Sequence, residues 1–133
     1  MRLYLVRHAE ATPGTPDELR PLTEAGRRAA RELGGRLAGE GPLDAVVTSP
    51  LRRARETAAV IAHVAGVGEP VVEEGLAPGA TTQSVLAAVQ GRGERVVAVA
   101  HQPDCARVTE ALLGEKRPFP PGGMAVIEIA AER

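Results

Sequence analysis

Tryptophan is absent from this 133-residue chain, and Tyr4 and Phe119 are its only aromatic residues of the Phe, Tyr and Trp type. A core must therefore be assembled from Leu, Val, Ile and Ala, and recognition of single-stranded nucleic acid by base stacking lacks its platforms. An excess of one charge is missing as well. Sixteen basic against 17 acidic residues give a formal net charge of -1, not the basic surplus of a polyanion-binding protein, so any anion must be held locally. Cysteine occurs once, at Cys105, which rules out an internal disulfide and suits a reducing compartment. No apolar run approaches the ~20 residues needed to cross a bilayer. Residues 1–25 also lack the apolar stretch and small-residue cleavage site of a secretion signal, because Arg7, His8 and Glu10 interrupt the only apolar run. The expectation is a cytoplasmic protein with neither nucleic acid nor membrane as partner; nothing here sets an oligomeric state.

With 44% hydrophobic side chains the chain has enough apolar surface for one core, and its length suits one domain, residues 1–133, rather than two. Strand-like runs at Leu3–Val6, Leu43–Thr48, Pro70–Glu73, Val96–Ala100 and Met124–Ile129 alternate with four helical patterns. The first helix starts at Thr23 as N-cap and turns Ala25, Ala29, Leu33 and Leu37 inward. The second takes Ser49 as N-cap and Pro50 at its first position, burying Leu51, Ala54, Ala58, Ile61 and Ala65. A third spans about Thr82 to Gln90 with Val85, Leu86 and Val89 inward, and a fourth Pro103 to Leu113 with Cys105, Val108, Ala111 and Leu112 inward. Such alternation predicts an α/β fold, and the β-branched runs around Val46 and Val96 predict a mostly parallel sheet covered on both faces. The last strand, after Pro120-Pro121-Gly122-Gly123, is a candidate antiparallel edge.

In such sheets ligands collect at the carboxyl ends of the strands. Three segments carrying chemistry fall there. Arg7-His8 ends the first strand: a neutral imidazole can attack phosphorus and carry the phosphoryl group, while a guanidinium beside it grips phosphate oxygens. Ser49-Pro50-Leu51-Arg52-Arg53-Ala54-Arg55-Glu56-Thr57 opens a helix whose N-terminus already favours anions. His101-Gln102-Pro103-Asp104 delivers a second histidine to the same edge. Arg52 and Arg55 read more simply as a solvated face with Glu56 as partner, and His63, inside the second helix, as a surface or packing residue. The Pro-bearing segment Ala11 to Pro21 is a polar loop able to lie over the site, and Glu10, close to His8, is expected to position that loop.

Taken together, Arg7-His8, Ser49 to Thr57 and His101 resemble the histidine phosphatase superfamily (branch 1) through most of the chain. The segment Arg20-Pro21-Leu22-Thr23-Glu24-Ala25-Gly26, the His101 tetrapeptide and the short length are similar to its SixA-like phosphohistidine phosphatases. The resemblance implies a three-layer α/β/α sandwich, phosphoglycerate mutase-like, and a metal-independent phosphatase that needs no cofactor. It implies His8 as the nucleophile that becomes phosphohistidine. It aligns Arg53, not Arg52, with the second phosphate-binding arginine, and it implies that Arg7, Arg53 and His101, with Gln102 at the same edge, bind the phosphate. Neighbouring guanidinium groups are expected to hold His8 neutral. In many members a carboxylate near the third strand protonates the leaving group; here Gly75 stands where SixA-like proteins often carry an acid, which leaves Glu74, Glu73 or neither. A weakly furnished acid favours a phosphoramidate, which leaves as neutral imidazole once protonated on nitrogen. The substrate expected is a phosphorylated protein side chain, with a small phosphorylated metabolite as alternative; a non-catalytic phospho-binding module is the reading from another class.

Other chemistries lack their residues. Cys105 has Ala111 six positions on, where a cysteine phosphatase loop needs Arg, and is read as a buried helix cysteine. Gly91-Arg92-Gly93-Glu94-Arg95 precedes a strand and lacks the third glycine of a dinucleotide fingerprint. A metal shared by His8 and His101 with Glu10 or Glu74 is opposed by the adjacent arginines.

Overall fold

Along the first strand Leu3 and Leu5 face one way, Tyr4 and Val6 the other, and all four are inaccessible to solvent, which requires a covering layer on each side. The computed structural model describes residues 1–130. Strands β1 (Arg2–Arg7), β2 (Ala45–Thr48), β3 (Val71–Val72), β4 (Arg95–Ala100) and β5 (Met124–Glu128) form one sheet in the order β3-β2-β4-β1-β5. The pairs β3/β2, β2/β4 and β4/β1 are parallel, and β5 runs antiparallel to β1 at the edge. Helices α1 (Glu24–Gly39), α2 (Arg52–Ala65), α3 (Thr82–Val89) and α4 (Asp104–Leu113) complete the fold. Tyr4, Val6, Val46, Val97 and Val99 pack on Leu33 and Leu37 of α1 and Ala54, Ala58 and Ile61 of α2. Leu3, Leu5, Val47, Val96 and Ala98 pack on Val85 and Val89 of α3 and Cys105 and Val108 of α4. The result is an α/β/α sandwich. Each fully buried Val, Leu or Ile contributes about 1.5–3 kcal/mol of transfer free energy, the main term opposing chain entropy. Among the described residues no helix is long and apolar enough to cross a membrane.

Several local expectations are corrected. On α1 the inward residues are Gly26, Ala30, Leu33, Gly34 and Leu37, whereas Ala25 and Ala29 are exposed. The face is rotated because Gly26 sits under the backbone of Glu10: a Cβ on Gly26 would lie 2.2 Å from the Glu10 carbonyl oxygen. Thr23 does cap α1, accepting from the Gly26 N–H at 2.9 Å. Ser49 is not the cap of α2; that place is taken by Leu51, with Pro50 outside the helix, while Leu51 and Ala65 are only half-buried. Helix α4 starts at Asp104, after a cis Gln102–Pro103 peptide, and Ala111 points to solvent while Thr109 is buried. Cys105 is buried, and burial pushes its thiol up to about 12, as suits an inert packing residue.

Candidate active site

Register in the middle of the sheet brings the two histidines together. Arg7 of β1 pairs with Ala100 of β4, so His8 and His101 are each the first residue past the paired ends, and the His8 N–H donates to the Ala100 carbonyl at 3.1 Å. Their ring centroids lie 5.3 Å apart. On the other side of β4, Thr48 pairs with Val99 and the Ser49 N–H donates to the Val99 carbonyl at 3.0 Å, which sets Ser49 beside the same strand end. His8, Ser49, Arg53 and His101 are all buried.

The turn after β1 is tied on three sides. Thr57 Oγ1 accepts from the Ala9 N–H at 3.0 Å and donates to the Arg53 carbonyl at 2.8 Å, joining the turn to the helix that carries Arg53. Gly122, at φ +77° in the turn before β5, donates to the carbonyls of both Arg7 and His8. Glu10 accepts from the Thr23 N–H through its carbonyl at 3.0 Å and from the Thr23 hydroxyl through its carboxylate at 2.7 Å, so it fastens the start of the loop to the start of α1.

His8 has a defined tautomer. Its Nδ1 lies 2.8 Å from the Ala9 carbonyl oxygen, which can only accept, so Nδ1 carries the proton. Nε2 therefore presents its lone pair, towards which Arg53 Nε donates at 3.3 Å. Burial, more than the neighbouring charges of Arg53, Arg7 and Arg20, pushes the His8 imidazole down to about 4 against the opposing pull of the Ala9 carbonyl. The sequence points to the adjacent arginines for this shift; they contribute, but removal from water is the larger cause. His101 is held down to about 3, again by burial first and then by His8 and Arg53. Both rings are neutral at physiological pH.

Arg53 is also gripped from outside. The carbonyl of Asp17 accepts from one of its terminal nitrogens at 2.9 Å and the Asp17 carboxylate from the other at 3.1 Å, while Arg20 bonds the second oxygen of that carboxylate at 2.9 Å. Asp17 begins a 3-10 turn, Asp17–Leu19, within the Ala11–Pro21 loop, which thus does lie over Arg53. Arg7 donates to the Phe119 carbonyl at 2.9 Å. Among the described residues, the buried side-chain polar atoms with no hydrogen-bond partner are Arg7 Nε, His101 Nδ1 and Thr109 Oγ1, and two of these belong to this cluster.

The remaining expected residues lie elsewhere or are otherwise engaged. The Gln102 side-chain carbonyl accepts from the Ala106 N–H at 2.9 Å and so serves the first turn of α4. Glu73 pairs with Arg92. Glu74 is exposed in a second 3-10 turn, Glu74–Leu76, and lines a groove of about 240 Å³ with Gly75, Pro78, Thr81 and Ser84 that none of Arg7, His8, Arg53 or His101 enters. Arg52 and Glu56 form an exposed pair, Arg55 donates to the Pro50 carbonyl, and His63 is exposed. A concavity of about 370 Å³ beside Met1, Leu86, Glu94 and Ile129 is at the opposite edge of the sheet. Sequence reasoning did not find Asp17, whose only signal was its place in a Pro-bearing loop, nor the contact between Ser49 and His101.

The family model for the histidine phosphatase superfamily (branch 1) matches residues 3–78. An uncharacterised protein of Picosynechococcus sp. is 34% identical over 120 residues, covering 84% of this chain and 73% of its own. The protein histidine phosphatase SixA, solved in complex with tungstate, superposes with a TM-score of 0.87 at 25% identity over 97% of this chain and 88% of that one. A SixA of Agrobacterium tumefaciens, designated a candidate phosphohistidine phosphatase, gives 0.80 at 29% identity over 94% and 88%. Fold and matches together define an enzyme, a phosphatase. The chain belongs to the histidine phosphatase superfamily (branch 1), and its fold is SixA-like, of the phosphoglycerate mutase type.

Proposed function

We propose that this phosphatase acts on phosphohistidine in proteins and works through a phosphohistidine of its own at His8 Nε2. The carrying observation is the fixed tautomer of His8: Nδ1–H is spent on the Ala9 carbonyl, and the lone pair of Nε2 sits among Arg53, Arg7 and His101. In this reading Nε2 attacks phosphorus in line, and the bond from phosphorus to the leaving nitrogen breaks. Arg7, Arg53 and His101 donate to the equatorial oxygens, whose charge must be stabilised through the transition state. Arg7 Nε and His101 Nδ1, buried and unpartnered, would gain acceptors in that state. Water then attacks phosphorus and the P–Nε2 bond breaks, giving inorganic phosphate and restoring the neutral imidazole. That SixA, a structural neighbour, is complexed with tungstate, a tetrahedral oxyanion, supports oxyanion binding by this fold.

The substrate class follows from the leaving group. An alkoxide needs a well-placed acid, but Glu73 is engaged by Arg92 and Glu74 is exposed in a groove apart from the four residues. An imidazole that already carries a proton on its other ring nitrogen leaves as the neutral ring without one. Purified protein is expected to release phosphate from a phosphohistidine-bearing protein faster, by kcat/KM, than from a panel of sugar, nucleotide and amino-acid phosphates, without added metal. Brief incubation should leave acid-labile, alkali-stable label on His8. Full turnover by His8→Ala would refute the mechanism, and preference for a metabolite ester would replace the substrate.

A further inference from the structure

Ser49 is the hydroxyl at the start of the Ser-Pro segment, and the structure gives it a partner that its position as a presumed helix cap did not suggest. It has no solvent exposure, its Oγ lies 2.7 Å from His101 Nε2, and it accepts from the Leu51 N–H at 3.2 Å. A hydroxyl carries one hydrogen and two lone pairs, and a neutral imidazole one N–H and one lone pair, so the 2.7 Å contact can be made in two ways. Were His101 to donate from Nε2, Ser49 would accept twice. Its own hydrogen would find no acceptor among the described residues, and the His101 Nδ1 lone pair would also be buried without a partner. Two unsatisfied groups would result. With Ser49 donating to Nε2 instead, the hydroxyl uses its hydrogen and a lone pair, and the only group left unpaired is an N–H at Nδ1. Leaving a buried polar group unpaired is costly, which favours the second arrangement. Burial keeps the ring neutral, so the tautomer question is real at physiological pH.

We infer that Ser49 is a positioning residue that fixes His101 as the Nδ1–H tautomer, turning the ring's free nitrogen into a hydrogen-bond donor for the phosphoryl oxygens. The opposite tautomer would aim a lone pair at an oxyanion and repel it. The division of labour is complementary across the two rings: a carbonyl accepts from Nδ1–H of His8 and leaves the lone pair on Nε2, whereas a hydroxyl donates to Nε2 of His101 and leaves Nδ1–H free to donate. This rests on the reading of the site as an oxyanion pocket, but the tautomer can be read without turnover.

Proton–nitrogen correlation NMR of the ligand-free enzyme at neutral pH is expected to show His101 with a pyrrole-type Nδ1 and a pyridine-type Nε2. The reverse pattern overturns the inference whether or not the enzyme proves to be a phosphohistidine phosphatase. In Ser49→Ala the ring should shift towards the Nε2–H form, and tungstate affinity and kcat/KM should fall about ten- to a hundredfold, the range for one hydrogen bond to a charged group. Ser49→Thr, which restores the hydroxyl, should recover the wild-type tautomer and most of the tungstate affinity. A folded Ser49→Ala protein with unchanged His101 nitrogen shifts also overturns it. Failure of the His8 labelling experiment with the predicted tautomer intact would instead count against the proposed reaction.

Discussion

Arg53 Nε donates to His8 Nε2 at 3.3 Å while Asp17 takes both terminal nitrogens of the same guanidinium, so one arginine joins the nucleophilic atom to the loop above it. In the proposed mechanism the hydrogen bond from Arg53 occupies, in the resting enzyme, the lone pair that is to attack. An incoming oxyanion would give that N–H a better acceptor and release the lone pair, coupling substrate binding to nucleophile activation.

In the proposed mechanism Asp17 is the internal anion with which phosphate competes for Arg53. Asp17→Asn keeps the loop's size and removes the charge. Inorganic phosphate and tungstate are expected to bind roughly three- to tenfold more tightly, the scale of one weakened ion pair in a partly exposed setting. Isothermal titration measures this; weaker binding would show that Asp17 serves to orient Arg53 rather than to rival the ligand.

Adjacent arginines should behave very differently. Arg53 is buried against His8, whereas Arg52 forms an exposed i,i+4 pair with Glu56. Arg53→Ala is expected to lower kcat/KM about a hundred- to a thousandfold, as loss of an oxyanion donor does. Arg52→Ala should stay within about twofold, since exposed pairs contribute little. Equal losses in the two variants would contradict the assignment.

Neutral buried histidines make stability depend on pH. In the unfolded chain both side chains take up protons near pH 6.5, but the folded protein resists until about 4 for His8 and about 3 for His101. Between these values the unfolded state binds more protons, so stability rises with pH through the window and is lost as pH falls below about 6.5. Down to pH 5 the loss is on the order of a few kcal/mol, at about 1.4 kcal/mol per ring for each pH unit below 6.5. Urea midpoints at pH 7.5 and pH 5 should differ accordingly, and the difference should shrink in His101→Asn. By the same reasoning His8 stays deprotonated and nucleophilic well below pH 6; an acid limb of kcat/KM at pH 6.5 in the free enzyme would contradict its burial.

Gly26→Ala tests the contact between α1 and the turn after β1. Alanine ordinarily stabilises a helix interior by about 1 kcal/mol relative to glycine. Here its methyl would meet the Glu10 carbonyl at 2.2 Å, and backbone must move. A net loss of about 1–3 kcal/mol in thermal or urea unfolding is expected, together with lower kcat as the turn bearing His8 shifts.

The nearness of Arg7, His8, Arg53 and His101 was readable because an apolar run leads into Arg7-His8, a β-branched run delivers His101, and an anion-favouring helix start carries Arg53. The parallel sheet and the burial of Cys105 were readable for the same reason, while the direction of the last strand was left open by the sequence and is set by its pairing with β1. What was not readable depends on contacts between distant segments. Small residues cluster on α1, so alanine spacing left its inward face ambiguous by one position until the Gly26–Glu10 contact fixed it. Ser49 before Pro50 has the local look of a helix cap, yet the β2/β4 register hands its hydroxyl to His101. Asp17 lies in a loop with no periodicity, and its pairing with Arg53 exists only after the chain has closed.

The pairing of Arg7 with Ala100 has a consequence for biosynthesis. Synthesis delivers β1 well before β4, and parallel pairing of such distant segments must wait for the later one. On the proposed mechanism, nascent chains stalled before β4 carry the His8 imidazole without its companion ring, so reactivity arrives only once β4 has docked beside β1.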